Sequence, residues 1–201
     1  MRYDQNHKER TRARVLAEAA AAIRSKGIER VGVAEVMAGA GLTHGGFYAH
    51  FASKDDLVAH AVTYMLDAAY AWLLRHTEGR EPADALSNYV DAYLAPSFRD
   101  DRAHGCPIAG LSADLPNMPE AASARFAEGT ERLVGALAKL LKKLGAKNPE
   151  ALAWSAMAEM AGALTLSRTV SDPRTSNAIL RHSRAMVKSR LGLDRPASRG
   201  G

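Results

Sequence analysis

The run Gly41-Leu42-Thr43-His44-Gly45-Gly46-Phe47-Tyr48-Ala49-His50-Phe51-Ala52-Ser53-Lys54 concentrates groups that dock rather than groups that make bonds. Thr43 and Tyr48 bring hydroxyls, His44 and His50 imidazoles, and Lys54 an ammonium. On a short helix such donors reach phosphate oxygens and base edges, the two surfaces of duplex DNA. Thr43 is placed to cap the helix, and its hydroxyl to meet a phosphate or a base edge. His44, at the exposed helix start, reaches a base or a phosphate. Gly45 and Gly46 each weaken a helix by about 1 kcal/mol relative to alanine. Their pairing reads as close approach to a groove floor or thymine methyl, or alternatively as relief for a tight turn. Tyr48 offers a phenol to phosphate. His50 either does the same or packs against a small core. Lys54 opens the following helix, where its charge and the free N–H groups both attract phosphate. Arg10, Arg12 and Arg14 either track the DNA backbone or form a solvated face.

These residues must be held by local elements. A first helix is predicted from about Asn6 to Ser25, with Val15, Leu16, Ala19, Ala22 and Ile23 as its apolar face, and residues 1–6 frayed. Lys26-Gly27 ends it, with glycine in the left-handed C-terminal position. A second helix follows from about Val33 to Ala38, with Val36 and Met37 inward. Gly39-Ala40-Gly41 turns the chain. Leu42, Phe47 and Phe51 should plug the core. Ser53 caps a long helix to about His76, with Asp55 and Asp56 in its first turn, and Leu57, Ala61, Met65, Ala68 and Trp72 as its stripe.

Helix two, the glycine turn and helix three read as a helix-turn-helix. Over about Arg10 to Val58 the chain resembles the DNA-binding domain of the TetR family of transcriptional regulators. The resemblance rests on Val36-Met37, Ala40-Gly41-Leu42-Thr43, Gly46-Phe47-Tyr48-Ala49-His50-Phe51 and Ser53-Lys54-Asp55-Asp56-Leu57. One feature departs from it: Gly32 stands where the family usually caps helix two with a hydroxyl residue. The resemblance implies a ligand-responsive regulator, foremost a repressor, bound as a homodimer to a palindromic double-stranded DNA operator and released by a small-molecule or thiol-reactive effector. A helical interaction protein without DNA binding is the alternative.

The rest of the chain fits an all-α architecture: a helix-turn-helix domain over 1–52, a helical regulatory and dimerisation domain over 53–193, and a disordered tail over 194–201. Helices are predicted from Pro82 to about Phe98 (with Pro96 kinking or shortening it), Ile108–Leu115, Pro119–Leu144, Glu150–Thr169 and Pro173–Leu191. By resemblance the last two helices pair with a partner subunit. Trp154, Met157, Met160, Ala161 and Leu164, with Ile179, Leu180, Met186 and Val187, are either that interface or an intrachain core. Arg181, Arg184, Lys188 and Arg190 read as a solvated or interface-rim face. Also by resemblance, the middle helices enclose an effector pocket, with Trp72, Tyr89, Tyr93, Phe126 and Trp154 as its candidate lining, or as plain core, and Tyr64 and Phe98 alongside.

Cys106, the single cysteine, lies in Gly105-Cys106-Pro107. The segment resembles one branch of the family in which cysteine senses electrophiles or oxidants. Ahead of a short helix a thiol gains thiolate character, which makes it a possible sensor; a buried structural cysteine is the alternative. One cysteine excludes an intrachain disulfide.

In 201 residues, hydrophobic side chains make up 47% and charged ones 24%, the balance of a globular chain, and the formal net charge of +5 favours an anionic partner. No phosphate-binding glycine loop, His-x-x-x-His pair or nucleophile elbow is present, which argues against an enzyme, a metal or a cofactor. The polar N-terminus lacks a signal core, and no stretch looks long and apolar enough to span a membrane, so a cytoplasmic protein is expected.

Overall fold

The computed structural model describes residues 2–194. They are helical, with no strand among the described residues. The elements are α1 (Arg2–Lys26), α2 (Val33–Gly39), a 3-10 helix (His44–Ala49), α3 (Lys54–Thr77), α4 (Pro82–Tyr93), α5 (Pro96–Asp100), α6 (Pro107–Leu111), a second 3-10 helix (Ser112–Asn117), α7 (Glu120–Lys143), α8 (Pro149–Thr169) and α9 (Pro173–Arg190). The tail expected over 194–201 lies, from residue 195 on, outside the described residues.

Three boundaries differ from the expected ones. α1 begins at Arg2 rather than near Asn6, so the frayed start is not seen over residues 2–6. Pro96 opens a separate short helix, because it suits the first helical turn but cannot continue the helix before it. The helix expected over 108–115 stops at Leu111 and continues as a 3-10 turn that contains Pro116.

Two compact units are present: residues up to Ala68 with Arg102–Thr130, and Ala69–Asp101 with Glu131 onward. In the first, Val15, Ala19 and Ile23 of α1 close on Val36 and Met37 of α2 and on Phe47 and Phe51. Leu57, Ala61, Met65 and Leu66 of α3 are buried too. Ala68, expected on the same stripe, is exposed. Arg24 of α1 donates to the Ala103 carbonyl (2.6 Å), which ties the end of α1 to the segment leading into α6.

In the second unit α8 packs along α9. Ala153, Ala156, Ala161 and Ala163 let the backbones approach, while Met157, Met160 and Leu164 fill against Leu180 and Val187. Ser176 on α9 donates to the Ser167 carbonyl of α8 at 2.6 Å, so both buried hydroxyl residues are bridged. Of the residues expected at a dimer interface, Met157, Met160, Ala161, Leu164, Leu180 and Val187 are therefore intrachain core. Trp154 and Met186 remain exposed, at 47% and 61%. The basic face of α9 is also largely committed within the chain. Lys188 (2.6 Å) and Arg184 (3.7 Å) pair with Asp91 of α4, and Arg190 with Glu159 of α8 (2.6 Å). Arg181 alone of the four is simply exposed.

α3 also corrects the reading of the membrane-spanning test. An 18-residue window of it reaches a mean hydropathy of 1.3, long and apolar enough to cross a membrane by length and composition. The cause is its apolar middle, where Asp67 is the single Asp, Glu, Lys or Arg between Asp56 and Arg75. The large apolar side chains of that middle, Leu57, Val58, Val62, Met65, Leu66 and Leu73, are buried in the fold.

Gly129 on α7 lies close against Leu66 of α3. A Cβ there would lie 2.6 Å from Leu66 Cδ1, 2.8 Å from its Cβ and 3.0 Å from its Cγ. The Leu66 Cβ is fixed to the backbone and cannot swing aside. Gly→Ala within a helix gains about 1 kcal/mol in propensity, whereas overpacking a core costs about 1–3 kcal/mol, so the clash wins. Gly129→Ala is expected to lower the urea midpoint, while Gly135→Ala, with nothing within 4 Å of its new Cβ, holds or raises it. Equal midpoints for the two variants would show that α3 and α7 are not in this close contact.

Candidate nucleic-acid interface and ligand-binding residues

α2 ends in a Schellman motif: Gly41 takes φ +68°, its N–H donates to the Ala38 carbonyl, and the Leu42 N–H to the Met37 carbonyl, both at 2.9 Å. A side chain at Gly41 would be strained by its left-handed backbone. The turn delivers Thr43 in an extended conformation directly into the 3-10 helix. Thr43 stands at the cap position, but its hydroxyl makes no cap hydrogen bond. The helix begins instead with the Gly46 N–H on the Thr43 backbone carbonyl (3.1 Å), so the capping role expected of the hydroxyl is not made. Thr43 itself is exposed.

Phe47 and Phe51 anchor the segment, each 2% exposed and stacked with centroids 5.7 Å apart. Opposite them, His44, Gly45, Tyr48 and Ala49 form an exposed face, and Tyr48 is 72% exposed. Gly45 and Gly46 do not take positive φ. A Cβ on Gly45 would meet nothing within 4 Å, and one on Gly46 only Met37 Cε (3.7 Å) and Thr43 Oγ1 (3.9 Å), both ordinary contacts. The fold itself thus has no need of glycine at either position, which removes the tight-turn alternative. The Lys54 ammonium donates to the Glu29 carbonyl at 3.1 Å, and its remaining donors are unassigned. Ser53 Oγ accepts the Asp56 N–H (3.1 Å) and Asp56 accepts the Ala52 N–H (3.0 Å), so the start of α3 is capped from both sides.

Two predicted DNA contacts turn inward. His50 is half-buried, with Nδ1 enclosed and without a hydrogen-bond partner. Arg12 is half-buried, donates to the His50 backbone carbonyl and lies 4.2 Å over the Phe51 ring. Packing against the small core is where the structure puts both. Arg10 and Arg14 are exposed.

A polar cluster that the sequence did not reveal sits behind this face. His60 of α3 meets Arg125 of α7 through Nδ1 (3.1 Å) and Asp56 through Nε2 (3.4 Å), and Arg125 also reaches Thr63 (3.3 Å). Nothing in a one-dimensional pattern pairs positions 60 and 125. Burial first, then the Arg12 and Arg125 guanidinium groups, hold His60 below its ordinary pKa, with Asp56 opposing. Burial, Lys8 and Arg12 hold His50 low as well.

The effector candidates do not converge on one site. Trp72, Tyr89 and Tyr93 pack together with Phe98: the Trp72 ring lies 5.3 Å from Tyr89, 6.4 Å from Tyr93 and 4.6 Å from Phe98. Phe126 is buried in the other unit. Trp154 is exposed and borders a cleft of about 590 Å³ with Val134, Ala138, Lys139 and Lys142. Tyr64 is exposed. Cys106 is 5% exposed, just ahead of α6, where the structural alternative is the simpler reading. Among the described residues no three His, Cys, Asp or Glu side chains converge as a metal site.

This is a helix-turn-helix protein by local geometry: two packed helices, a left-handed glycine turn and a short exposed third helix. Comparison with known proteins agrees. Residues 15–61 match the sequence profile of the bacterial regulatory proteins of the tetR family. An uncharacterised HTH-type transcriptional regulator of Mycobacterium tuberculosis is 30% identical over 104 residues, 51% of this chain and 52% of that protein, so the chain spans about half the length of the curated relatives it matches. The fold is that of a TetR transcriptional regulator from Chloroflexus aurantiacus (TM-score 0.79, 22% identity, 93% of this chain and 96% of that one). It is equally that of Escherichia coli NemR in its reduced form (TM-score 0.77, 21% identity, 89% and 95%).

Both depressed histidines give the first unit a signed pH dependence. A histidine whose folded pKa lies below the unfolded value of about 6.5 binds fewer protons when folded. Its contribution is intact above that value and is lost as pH falls below it. The thermal midpoint is expected to drop between pH 7 and pH 5.5, and to drop less in His60→Gln. An identical pH profile for wild type and His60→Gln would show that His60 is not held neutral.

Proposed function

We propose that this chain is a TetR-type transcriptional regulator, acting as a repressor, that binds a palindromic operator as a homodimer and is released by a small-molecule effector. The observation that carries the reading is the Gly45-Gly46 pair. Each glycine weakens the helix, neither is required by backbone conformation or by a neighbour, and the space above Gly45 is open. Bare backbone in that position suits a partner that comes closer than a side chain allows. A base-pair edge or thymine methyl at the floor of the major groove is such a partner. Thr43 and His44 are then base or phosphate contacts, Tyr48 and Lys54 phosphate contacts, and His50 backs the helix from inside.

Dimerisation is supported by the solvent side of α8 and α9. There Trp154, Ala158, Thr165 and Leu166 follow one another at helical spacing, and Ala185 and Met186 are exposed on α9. Large apolar and small residues mixed on an exposed face are the composition of a helix-packed interface. The effector would be accommodated by the aromatic group around Trp72, Tyr89 and Tyr93, with Phe126 and Trp154 in separate surroundings. The burial of Cys106 favours this route over a thiol route. Domains over 1–52 and 53–193, and a cytoplasmic location, complete the proposal.

A duplex selected from random DNA is expected to bind about 10³-fold or more tighter than unselected duplex at physiological salt. Gly45→Ala should keep or raise the thermal midpoint yet weaken binding to the selected duplex about tenfold or more. If Gly45→Ala binds as wild type does, the close approach is absent; if no duplex is preferred, the regulator reading is wrong.

Leu166→Asp with Met186→Asp should give monomers in sedimentation without loss of helix content, because both side chains are more than half exposed. A wild-type chain that sediments as a monomer at micromolar concentration would remove the dimer from the proposal.

A further inference from the structure

We infer that Arg12 is a positioning residue for the DNA-facing 3-10 helix, fixing its C-terminal end on α1, and not a phosphate contact. The inference rests on the reading of that helix as the DNA-binding element. Arg12 is the one arginine of the trio on α1 that is drawn inward; Arg10 and Arg14 are exposed. Its Nη1 donates to the backbone carbonyl of His50, the C-cap residue of the 3-10 helix. Its guanidinium carbon sits 4.2 Å over the ring of Phe51, the next residue. One side chain thereby grips both the last carbonyl of the helix and the aromatic anchor that follows it.

The grip matters because few backbone hydrogen bonds close that end. The helix is six residues long, and its C-terminus is closed by the His50 and Phe51 N–H groups on the single Phe47 carbonyl, at 2.9 and 3.0 Å. Carbonyls at the end of a helix carry partial negative charge and lack intrahelical partners. A guanidinium supplies a charge-assisted donor there and a stacking plane for the ring, which an ammonium or amide supplies less fully. A phosphate contact by Arg12 would compete with both interactions for the orientation of the guanidinium. Rotation of the helix about its anchors would displace His44, Gly45 and Tyr48 together, so the consequence of losing Arg12 falls on discrimination among sequences.

The experiment compares wild type, Arg12→Met, Arg12→Gln and the control Arg14→Met as full-length protein. Binding to a selected and an unselected duplex is measured across salt concentration. Amide hydrogen exchange over 44–51 is measured without DNA. We expect Arg12→Met to bind the selected duplex about tenfold more weakly and the unselected one as before, with the salt slope unchanged. Arg12→Gln, which keeps an N–H donor, should recover part of the loss. Exchange over 44–51 should rise about tenfold in Arg12→Met and stay at the wild-type rate in Arg14→Met. A salt slope lowered by about one, with both duplexes weakened alike, is the signature of a phosphate contact and would overturn the inference, as would unchanged exchange. If Arg12→Met does not fold, Arg12→Gln carries the same comparison: a phosphate role lowers its slope, a positioning role does not. If exchange rises but wild type itself prefers no duplex, the DNA-binding reading fails while the positioning of the helix by Arg12 stands.

Discussion

A six-residue 3-10 helix with two adjacent glycines does not hold its own shape in water. Short helices lack the cooperativity that stabilises long ones, and 3-10 hydrogen bonds are poorly aligned. What holds this one is the burial of Phe47 and Phe51 against Met37, Val36 and the apolar face of α1. Burying two aromatic side chains of that size stabilises by roughly 3–6 kcal/mol, more than the about 2 kcal/mol that the two glycines take away. The exposed face is therefore released from any duty of self-stabilisation, and its residues can be chosen for what they present outward. The rest of the first unit follows from that constraint: the left-handed turn at Gly41 aims the segment, and the doubly capped start of α3 ends it.

The arrangement separates two kinds of polar residue that look alike in a sequence. Tyr48, Thr43 and His44 are exposed, and the Tyr48 ring rests edge-on against Phe47. Arg12, His50 and His60 are drawn into the back of the same segment, where charge, carbonyl and ring meet. The first group is free to meet a partner; the second sets the angle at which the first is offered. The second unit shows the same economy at α9. Its basic side chains read as a solvated or interface-rim face in the sequence, yet Arg184, Lys188 and Arg190 pair with Asp91 and Glu159 of neighbouring helices.

Much of this was legible in the sequence, and the reasons are physical. Long helices with regular apolar spacing, a glycine at a left-handed helix end and a serine cap are local signals, and α1, α2, α3, α7, α8 and α9 follow them closely. Phe47 and Phe51, four apart beside a glycine turn, could be assigned to the core for the same reason. Three things could not be read. The 3-10 geometry of 44–49 depends on how little chain separates Gly41 from the capped start of α3. The inward turn of Arg12 depends on a carbonyl 38 positions away. Which apolar residues of α8 face α9 and which face outward is a matter of helix rotation, and Met157 and Trp154 look equally suited to either side until that rotation is fixed. The aromatic residues proposed as one effector site fell into separate surroundings because composition says nothing of which helices meet.

The central claim is that Thr43 to Tyr48, presented by the buried Phe47–Phe51 anchor, is the surface that meets DNA. It is tested most directly by recording backbone amide chemical shifts as the protein is titrated with its selected duplex. The account predicts the largest perturbations at Thr43, His44, Gly45, Gly46, Tyr48 and Lys54, with α8 and α9 unmoved. Perturbations centred instead on the arginines of α9, with the 43–54 segment unchanged, would contradict it.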